Sequence, residues 1–116
     1  MRISKVVFLF LSAVYAFGQG TDEAIVVGTI TDPTGAVVSG ASVKLFHSAT
    51  NATTEVRTNE QGEYRTPPLR IGTYVINIEA QGFKQFNQRG LVLDIGDVRT
   101  VDAVLQVGQV SESVAV

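Results

Sequence analysis

The chain contains no cysteine and no tryptophan, and its 116 residues include a single histidine, His47. Without cysteine no disulfide framework can form. A catalytic or metal-binding histidine needs partners, and neither a second histidine nor a cysteine exists to supply them. No Gly-x-Ser-x-Gly elbow is present either. We therefore expect no catalytic, metal-binding or cofactor-binding residue and predict that the chain is not an enzyme, with His47 as an exposed side chain at the end of a strand.

Positive charge is also scarce, with nine basic residues against eleven acidic ones. Two of the basic residues, Arg2 and Lys5, lie in an N-terminal segment that we expect to be removed. The remaining chain would then carry a net charge of 7 − 11 = −4. This balance offers no basic surface for nucleic acid or for an anionic membrane.

One apolar run stands out, VVFLFLSAVYAF at residues 6–17, directly after the two basic residues. Small residues follow at Ala16 and Gly18. A basic start, an apolar run of about a dozen residues and a small-x-small site are typical of a secretory signal peptide. We predict a signal peptide at residues 1–18, with cleavage after Gly18 or alternatively after Gly20. The run is shorter than the ~20 residues of a membrane-spanning helix, so no span is expected in the mature chain.

The rest of the sequence lacks a 3.6-residue apolar stripe and alternates with a period of two. Thr73–Ala80 shows this most clearly, with Tyr74, Ile76, Ile78 and Ala80 on one side. In the last predicted strand, residues 98–107, every second residue is expected to face inward; these are Val101, Ala103, Leu105 and Val107. Turn signals, such as Asp-Pro-Thr-Gly at residues 32–35, recur every 8–12 residues. The pattern predicts an all-β fold, an antiparallel β-sandwich of about seven strands, over residues 23–108.

Two blocks of spaced residues carry a family resemblance. The first is Gly-x-Ile-x-Asp-x-x-Gly-x-x-Val-x-Gly-Ala-x-Val-x-Leu at residues 28–45. The second comprises Thr-Asn-x-x-Gly-x-Tyr at residues 58–64 and Leu-x-x-Gly-x-Tyr-x-Ile-x-Ile-x-Ala-x-Gly-Phe at residues 69–83. Together they resemble carboxypeptidase regulatory-like domains. The resemblance implies a transthyretin-like (prealbumin-like) sandwich, grouped with carbohydrate-binding-like folds. The zinc peptidase activity of the carboxypeptidases belongs to a separate domain.

The two ends of the chain extend this resemblance. A signal peptide, this module and then LQVGQVSESVAV at residues 105–116 are similar to the N-terminus of TonB-dependent, Oar-like outer-membrane receptors. Residues 109–116 would then begin a linker or a plug-domain strand. The resemblance implies an interaction or spacer module in the periplasm or outer membrane of a Gram-negative bacterium, with proteins of that receptor system as partners. The alternative is a secreted carbohydrate-binding or adhesion module with a glycan as its partner.

Few side chains suggest a binding surface. Phe46, Phe83 and Phe86 are the candidate aromatic residues for stacking on a sugar, although packing in the core or at a sheet edge also accounts for each of them. Asp94, Asp97 and Asp102 lie close in sequence, but they lack the dense oxygen-ligand loop that calcium requires. We interpret Asp94 and Asp97 as turn residues that cap their own backbone.

Overall fold

The computed structural model describes residues 23–108, so the predicted signal peptide and residues 109–116 lie outside the described residues. Within this range no helix occurs, and hence none that could cross a membrane. The strands are β1 (Glu23–Thr31), β2 (Ser42–His47), β3 (Thr53–Arg57), β4 (Glu63–Arg65), β5 (Leu69–Arg70), β6 (Gly72–Glu79), β7 (Phe86–Leu93), β8 (Val98–Thr100) and β9 (Ala103–Val104).

The first sheet contains four strands in the order β3-β2-β6-β7, and all of its pairs are antiparallel. In its centre Val43 lies opposite Ile78 and Leu45 opposite Ile76, and all four side chains are fully buried. The residues between them point to the other face, which is mainly polar but also carries Phe46 and Val75. The predicted inward set of β6 is confirmed, with Ala80 half-buried just past the strand end.

A bulge interrupts the edge strand β7. Its register against β6 changes between Tyr74 and Ile76, which pair with Leu91 and Gln88. The extra residue on β7 is accommodated by Gly90, whose φ of 74° lies in the left-handed region that glycine favours. The bulge allows residues on both sides of it to face the core: Phe86 before it packs half-buried against the core, and Leu91 and Leu93 after it are buried.

The second sheet is built around β1. On one edge β1 pairs with β4 in antiparallel orientation, and its first residues pair with β5. On the opposite edge it pairs in parallel with β8 and β9. Val27 shows the arrangement directly, since it pairs with both Arg65 of β4 and Thr100 of β8. The all-β sandwich is therefore confirmed, with parallel pairs that the sequence pattern did not predict.

The final segment differs from the single strand expected over residues 98–107. It divides into β8 and β9, separated by Val101 and Asp102. Val101, Ala103 and Leu105 face the core as predicted, but the prediction for Val107 is wrong, because its side chain is 65% exposed. There the chain leaves β1 and forms an isolated bridge with Phe83 instead.

Both sheets contribute to one hydrophobic core between them. Val26 and Ile30 of β1 and Leu45 and Ile76 of the four-stranded sheet have no exposed surface. The remaining buried apolar side chains are Ala24, Val38, Ala41, Val43, Tyr64, Leu69, Tyr74, Ile78, Leu91, Leu93, Val101, Ala103 and Leu105. Burial of this apolar surface is the main stabilising contribution to the fold.

Candidate functional site

The only histidine is buried rather than exposed. His47 has 5% of its surface exposed, so the prediction of an exposed His47 is wrong. The physical reason is that β2 continues through His47, which follows Val43 and Leu45 on the inward side of the strand. The alternation that predicts Val43 and Leu45 on the inward side predicts the same side for His47.

The imidazole of His47 is enclosed by polar and aromatic partners. Its ring stands edge-on to the Tyr74 ring, with the centroids 4.8 Å apart. The Thr50 amide donates to Nδ1 at 3.2 Å, and Nε2 lies 3.0 Å from the carbonyl oxygen of Ile71. A neutral ring with its proton on Nε2 satisfies both contacts, because Nδ1 then accepts and Nε2 donates. A Cβ at Gly72 would lie 2.5 Å from Nε2, so this glycine leaves room for the ring. These contacts assign His47 a structural role that joins β2 to the β5–β6 turn.

A second buried polar contact crosses β1. Tyr64 of β4 lies opposite Gly28, and its hydroxyl donates to the Val101 carbonyl oxygen at 2.6 Å on the far side of β1. The ring can take this path because Gly28 has no side chain. An added Cβ would overlap the Val101 carbonyl and lie 2.8 Å from the Tyr64 ring. Burial, and secondarily the Asp102 carboxylate, raise the pKa of Tyr64 above its ordinary value of 10.0.

The outer face of the four-stranded sheet carries side chains that could contact a ligand. The outer face of the four-stranded sheet carries a row of side chains in register across its strands: Glu55, Lys44, Asn77 and Asn87. The Asn77 amide donates to the Asn87 side-chain oxygen at 2.6 Å. Phe46 lies two residues along β2 from Lys44, on the same face, and is 37% exposed. An aromatic ring beside amide and charged groups is an arrangement that can stack on and hydrogen-bond a polar ring such as a sugar.

A shallow polar groove of about 510 Å³ continues this face toward the loop between β6 and β7. Its walls hold Ser42, whose hydroxyl donates to Glu55 at 2.8 Å, and Arg57, which lies 3.5 Å from the same carboxylate. Across the groove the Gln85 amide donates to Glu79 at 2.6 Å. Two basic and two acidic residues, Lys44, Arg57, Glu55 and Glu79, therefore balance one another here. A neutral polar ligand suits such a surface better than a strongly charged one.

The three predicted aromatic residues do not form one surface. Phe46 projects from the outer face, whereas Phe86 lies opposite Ile78 on the inward side and packs half-buried against the core. Phe83 also packs against the core, and it forms part of the groove wall. Of the three, Phe46 alone presents its ring on the open sheet face. The polar row beside it was missed, because only the strand register shows that Lys44, Asn77 and Asn87 are neighbours.

The three aspartates have separate roles. The Asp97 carboxylate accepts the Asp94 amide at 2.8 Å and lies 3.5 Å from Arg99. The Asp102 carboxylate accepts the Thr29 amide of β1 at 2.8 Å. In residues 23–108 no group of three or more histidine, cysteine or acidic side chains is placed to hold a metal ion.

Sequence comparison identifies the family. The model of the carboxypeptidase regulatory-like domain matches residues 25–106, which is most of the chain and nearly all of the described sandwich. This protein therefore belongs to the carboxypeptidase regulatory-like domain family, as its two sequence blocks predicted. No curated protein matches the chain significantly in sequence.

Solved structures with a similar fold include members of two groups. A putative carbohydrate binding protein from Bacteroides uniformis ATCC 8492 is 28% identical, with a TM-score of 0.58 over 74% of this chain and 42% of that protein. Catechol 1,2-dioxygenase from Acinetobacter sp. ADP1 is 12% identical, with a TM-score of 0.64 over 84% of this chain and 57% of the enzyme. Hydroxyquinol 1,2-dioxygenase from Pseudomonas putida DLL-E4 is 11% identical, with a TM-score of 0.62 over 78% of this chain and 58% of that enzyme. The chain thus spans about half the length of these proteins.

The second group corrects one prediction. The chain was expected not to be an enzyme, but its fold also occurs in catechol 1,2-dioxygenases. The expectation is overturned because a sandwich of this kind is compatible with an enzyme, and fold does not determine activity. At 11–13% identity the likeness to the dioxygenases concerns the fold alone.

Proposed function

We propose that this chain is an exported bacterial interaction and spacer module, and that it forms the N-terminal periplasmic extension of a TonB-dependent outer-membrane receptor. Membership of the carboxypeptidase regulatory-like family supports the module. The N-terminal signal-like segment and the residues after Gly108 support the receptor context by their resemblance to Oar-like receptors.

The observation that carries the spacer role is the direction of the first and last strands. β8 and β9 run parallel to β1, so the chain enters the sandwich at the Glu23 end and leaves it at the other. At about 3.3 Å per residue, the nine residues of β1 separate these two ends by roughly 30 Å. A module with its ends at opposite poles holds apart whatever is joined to them.

The test is fractionation of the native bacterium, followed by mass spectrometry of both ends of the protein. The proposal predicts a species in the outer-membrane fraction that begins near Gln19 and continues in frame past Val116 into plug and barrel sequence. A chain found in the cytoplasm with residues 1–18 retained would contradict export. A secreted chain that ends at Val116 would contradict the receptor context and favour the second candidate.

The second candidate is glycan binding by the outer face of the four-stranded sheet. Two observations favour it: the row of Lys44, Asn77 and Asn87 lies on the same face as Phe46, and the 28% identical neighbour is a putative carbohydrate binding protein. Neutral polysaccharides are the expected ligands, because the charges on this face balance.

A glycan array, followed by calorimetry on any ligand found, tests this candidate. Binding that weakens at least tenfold in Phe46→Ala and in Asn77→Ala would support it. Val104→Ala is the matched control, because Val104 is 49% exposed on the other sheet. No binding to any glycan, or equal loss in the control, would contradict it.

A further inference from the structure

The parallel pairing of β1 with β8 and β9 has a mechanical consequence. When the two ends of the sandwich are pulled apart, β1 is drawn in one direction and the β8–β9 segment in the opposite direction. The hydrogen bonds between them lie across the line of force. They are therefore loaded together in shear, whereas bonds at a peeling edge break one after another.

The hydrogen bonds across this junction extend over most of β1. Near its start the Ile25 amide donates to the Asp97 carbonyl oxygen at 2.9 Å. In the middle the Val101 amide donates to Val27 at 2.8 Å, and at the end the Leu105 amide donates to Thr31 at 2.8 Å. Further ladder bonds of β8 and β9 lie between them.

Asp102 closes the gap between β8 and β9. Its carboxylate accepts the Thr29 amide at 2.8 Å, at the point where the backbone ladder is interrupted. An ionised acceptor makes a stronger hydrogen bond than a neutral carbonyl. The junction thus remains bonded across the irregular residues.

Side chains strengthen the same junction. Val26 and Ile30 of β1 and Val101, Ala103 and Leu105 of the last segment are buried together in the core. Sliding the strands past each other would drag these side chains out of their packing positions. The Tyr64 hydroxyl, which binds the Val101 carbonyl across Gly28, adds a contact from β4 to the last segment.

We propose that β1 and residues 97–105 form a mechanical clamp, which allows the module to bear tension applied between its two ends. The biological use of the clamp rests on the proposed spacer function, but the clamp itself is a property of the sandwich. The partner class is accordingly any protein component that pulls on one end of the module while the other end is held.

Single-molecule force spectroscopy can test the clamp, because the absence of native cysteine lets two introduced cysteines define the pulling direction. Glu23→Cys with Val107→Cys loads the junction in shear, since the two positions lie at opposite ends of β1 and the last segment. Both side chains are exposed. Gln106→Cys offers the same direction if Val107→Cys disturbs the bridge to Phe83.

The matched control uses Glu23→Cys with Ile95→Cys. Ile95 is 59% exposed and precedes Gly96, whose amide donates to the Glu23 carbonyl at 3.0 Å. These two positions are adjacent, so pulling on them peels β8 from β1 instead of shearing it. Urea denaturation of both variants establishes that they are equally stable before they are pulled.

Forced unfolding reports the unfolding barrier, and the clamp predicts an unfolding force about twofold or more higher in shear than in peeling at the same loading rate. Asp102→Ala should lower the shear force and leave the peeling force nearly unchanged. Equal forces in the two directions, or a higher force in peeling, would overturn the clamp. That result would not contradict the spacer proposal. Conversely, a chain retained in the cytoplasm would contradict the spacer proposal but would not affect the force measurement.

Discussion

The four-stranded sheet and the sheet around β1 differ in how far apart in the sequence their paired strands lie. In the first, β2 and β3 are joined by a short loop, β6 and β7 follow one another along the chain, and only the β2–β6 pair joins segments with other strands between them. In the second, Ile25 near the start of the sandwich pairs with Val98 near its end. Local antiparallel pairs follow from alternation and turn signals, but a parallel pair between distant segments requires the whole chain to be in place. The β1 sheet is therefore the part of the molecule whose perturbation should matter most.

Gly28→Ala should produce the largest loss of stability. The new methyl group would overlap the Val101 carbonyl, so β1 and the last segment would have to separate. We expect a loss of at least about 3 kcal/mol in the free energy of unfolding, measured by urea denaturation. Gly90→Ala in the other sheet is the control: nothing lies within 4 Å of its added Cβ, and its positive φ alone costs about 1–2 kcal/mol. Equal losses in the two variants would show that β1 and the last segment are not in close contact at Gly28.

Removal of the Tyr64 hydroxyl should cause the next largest loss of stability. Tyr64→Phe leaves the Val101 carbonyl without this donor in a buried position, which costs about 1–2 kcal/mol. Tyr74→Phe removes a bond of similar length, 2.7 Å to the Arg70 carbonyl. That contact is only partly buried, so water can replace the lost donor and the loss should be about 0.5 kcal/mol. Thermal or urea denaturation of the two variants measures the difference, and a larger loss for Tyr74→Phe would reverse the comparison.

Alkaline pH should lower the free energy of unfolding through the same tyrosine. Since the pKa of Tyr64 is raised in the folded state, an unfolded chain releases this proton from about pH 10.0 upward while the folded chain retains it. The unfolded state then binds fewer protons than the folded state, so stability falls as pH rises. The slope for one such tyrosine approaches about 1.4 kcal/mol per pH unit. Burial also raises the pKa of Tyr74, although Arg70 opposes this, so its contribution has the same sign.

Urea denaturation of the wild-type chain and of Tyr64→Phe between pH 9 and pH 11 separates the Tyr64 contribution. The variant should lose stability less steeply above pH 10 than the wild-type chain. Identical slopes would mean that Tyr64 titrates as it does in the unfolded chain.

The smallest effect on stability is expected on the outer face of the four-stranded sheet. Lys44→Ala changes a partly exposed side chain outside the core and should alter the free energy of unfolding by about 0.5 kcal/mol or less. Urea denaturation checks this expectation. A loss above 1 kcal/mol would indicate that the polar row stabilises the sheet, which would argue against a role in ligand binding.

Much of the fold could be predicted from the sequence because most strands alternate. Val43, Leu45, Ile76 and Ile78 occupy the positions that the period of two requires, and the two family blocks place them in a known sandwich. The parallel pairing of β8 and β9 could not be predicted in this way, since alternation does not show which strand a segment pairs with. The prediction for Val107 is wrong for a related reason: the pairing of the last segment with β1 ends before this residue, which bridges to Phe83 instead.

The candidate site was predicted less completely. Phe46 was identified as an aromatic candidate, but the polar row on the same face combines Lys44 of its own strand with Asn77 and Asn87 from two other strands, which only the register brings side by side. His47 was placed at a polar loop because its residue type outweighed its position, although it continues the inward series of β2. In both cases the missing information is which residues lie side by side across strands.

The most direct measurement of the central claim is amide hydrogen exchange at Val101 and Leu105. Their amides donate to Val27 and Thr31 of β1, and these two bonds hold the last segment to the first strand. If the last segment closes the β1 sheet, both amides should exchange only through global unfolding, as slowly as the amides of the central strands β2 and β6. Exchange at the faster rates of a locally opening edge would show that the segment is not a fixed part of the sandwich, and both the clamp and the spacer argument would then fail.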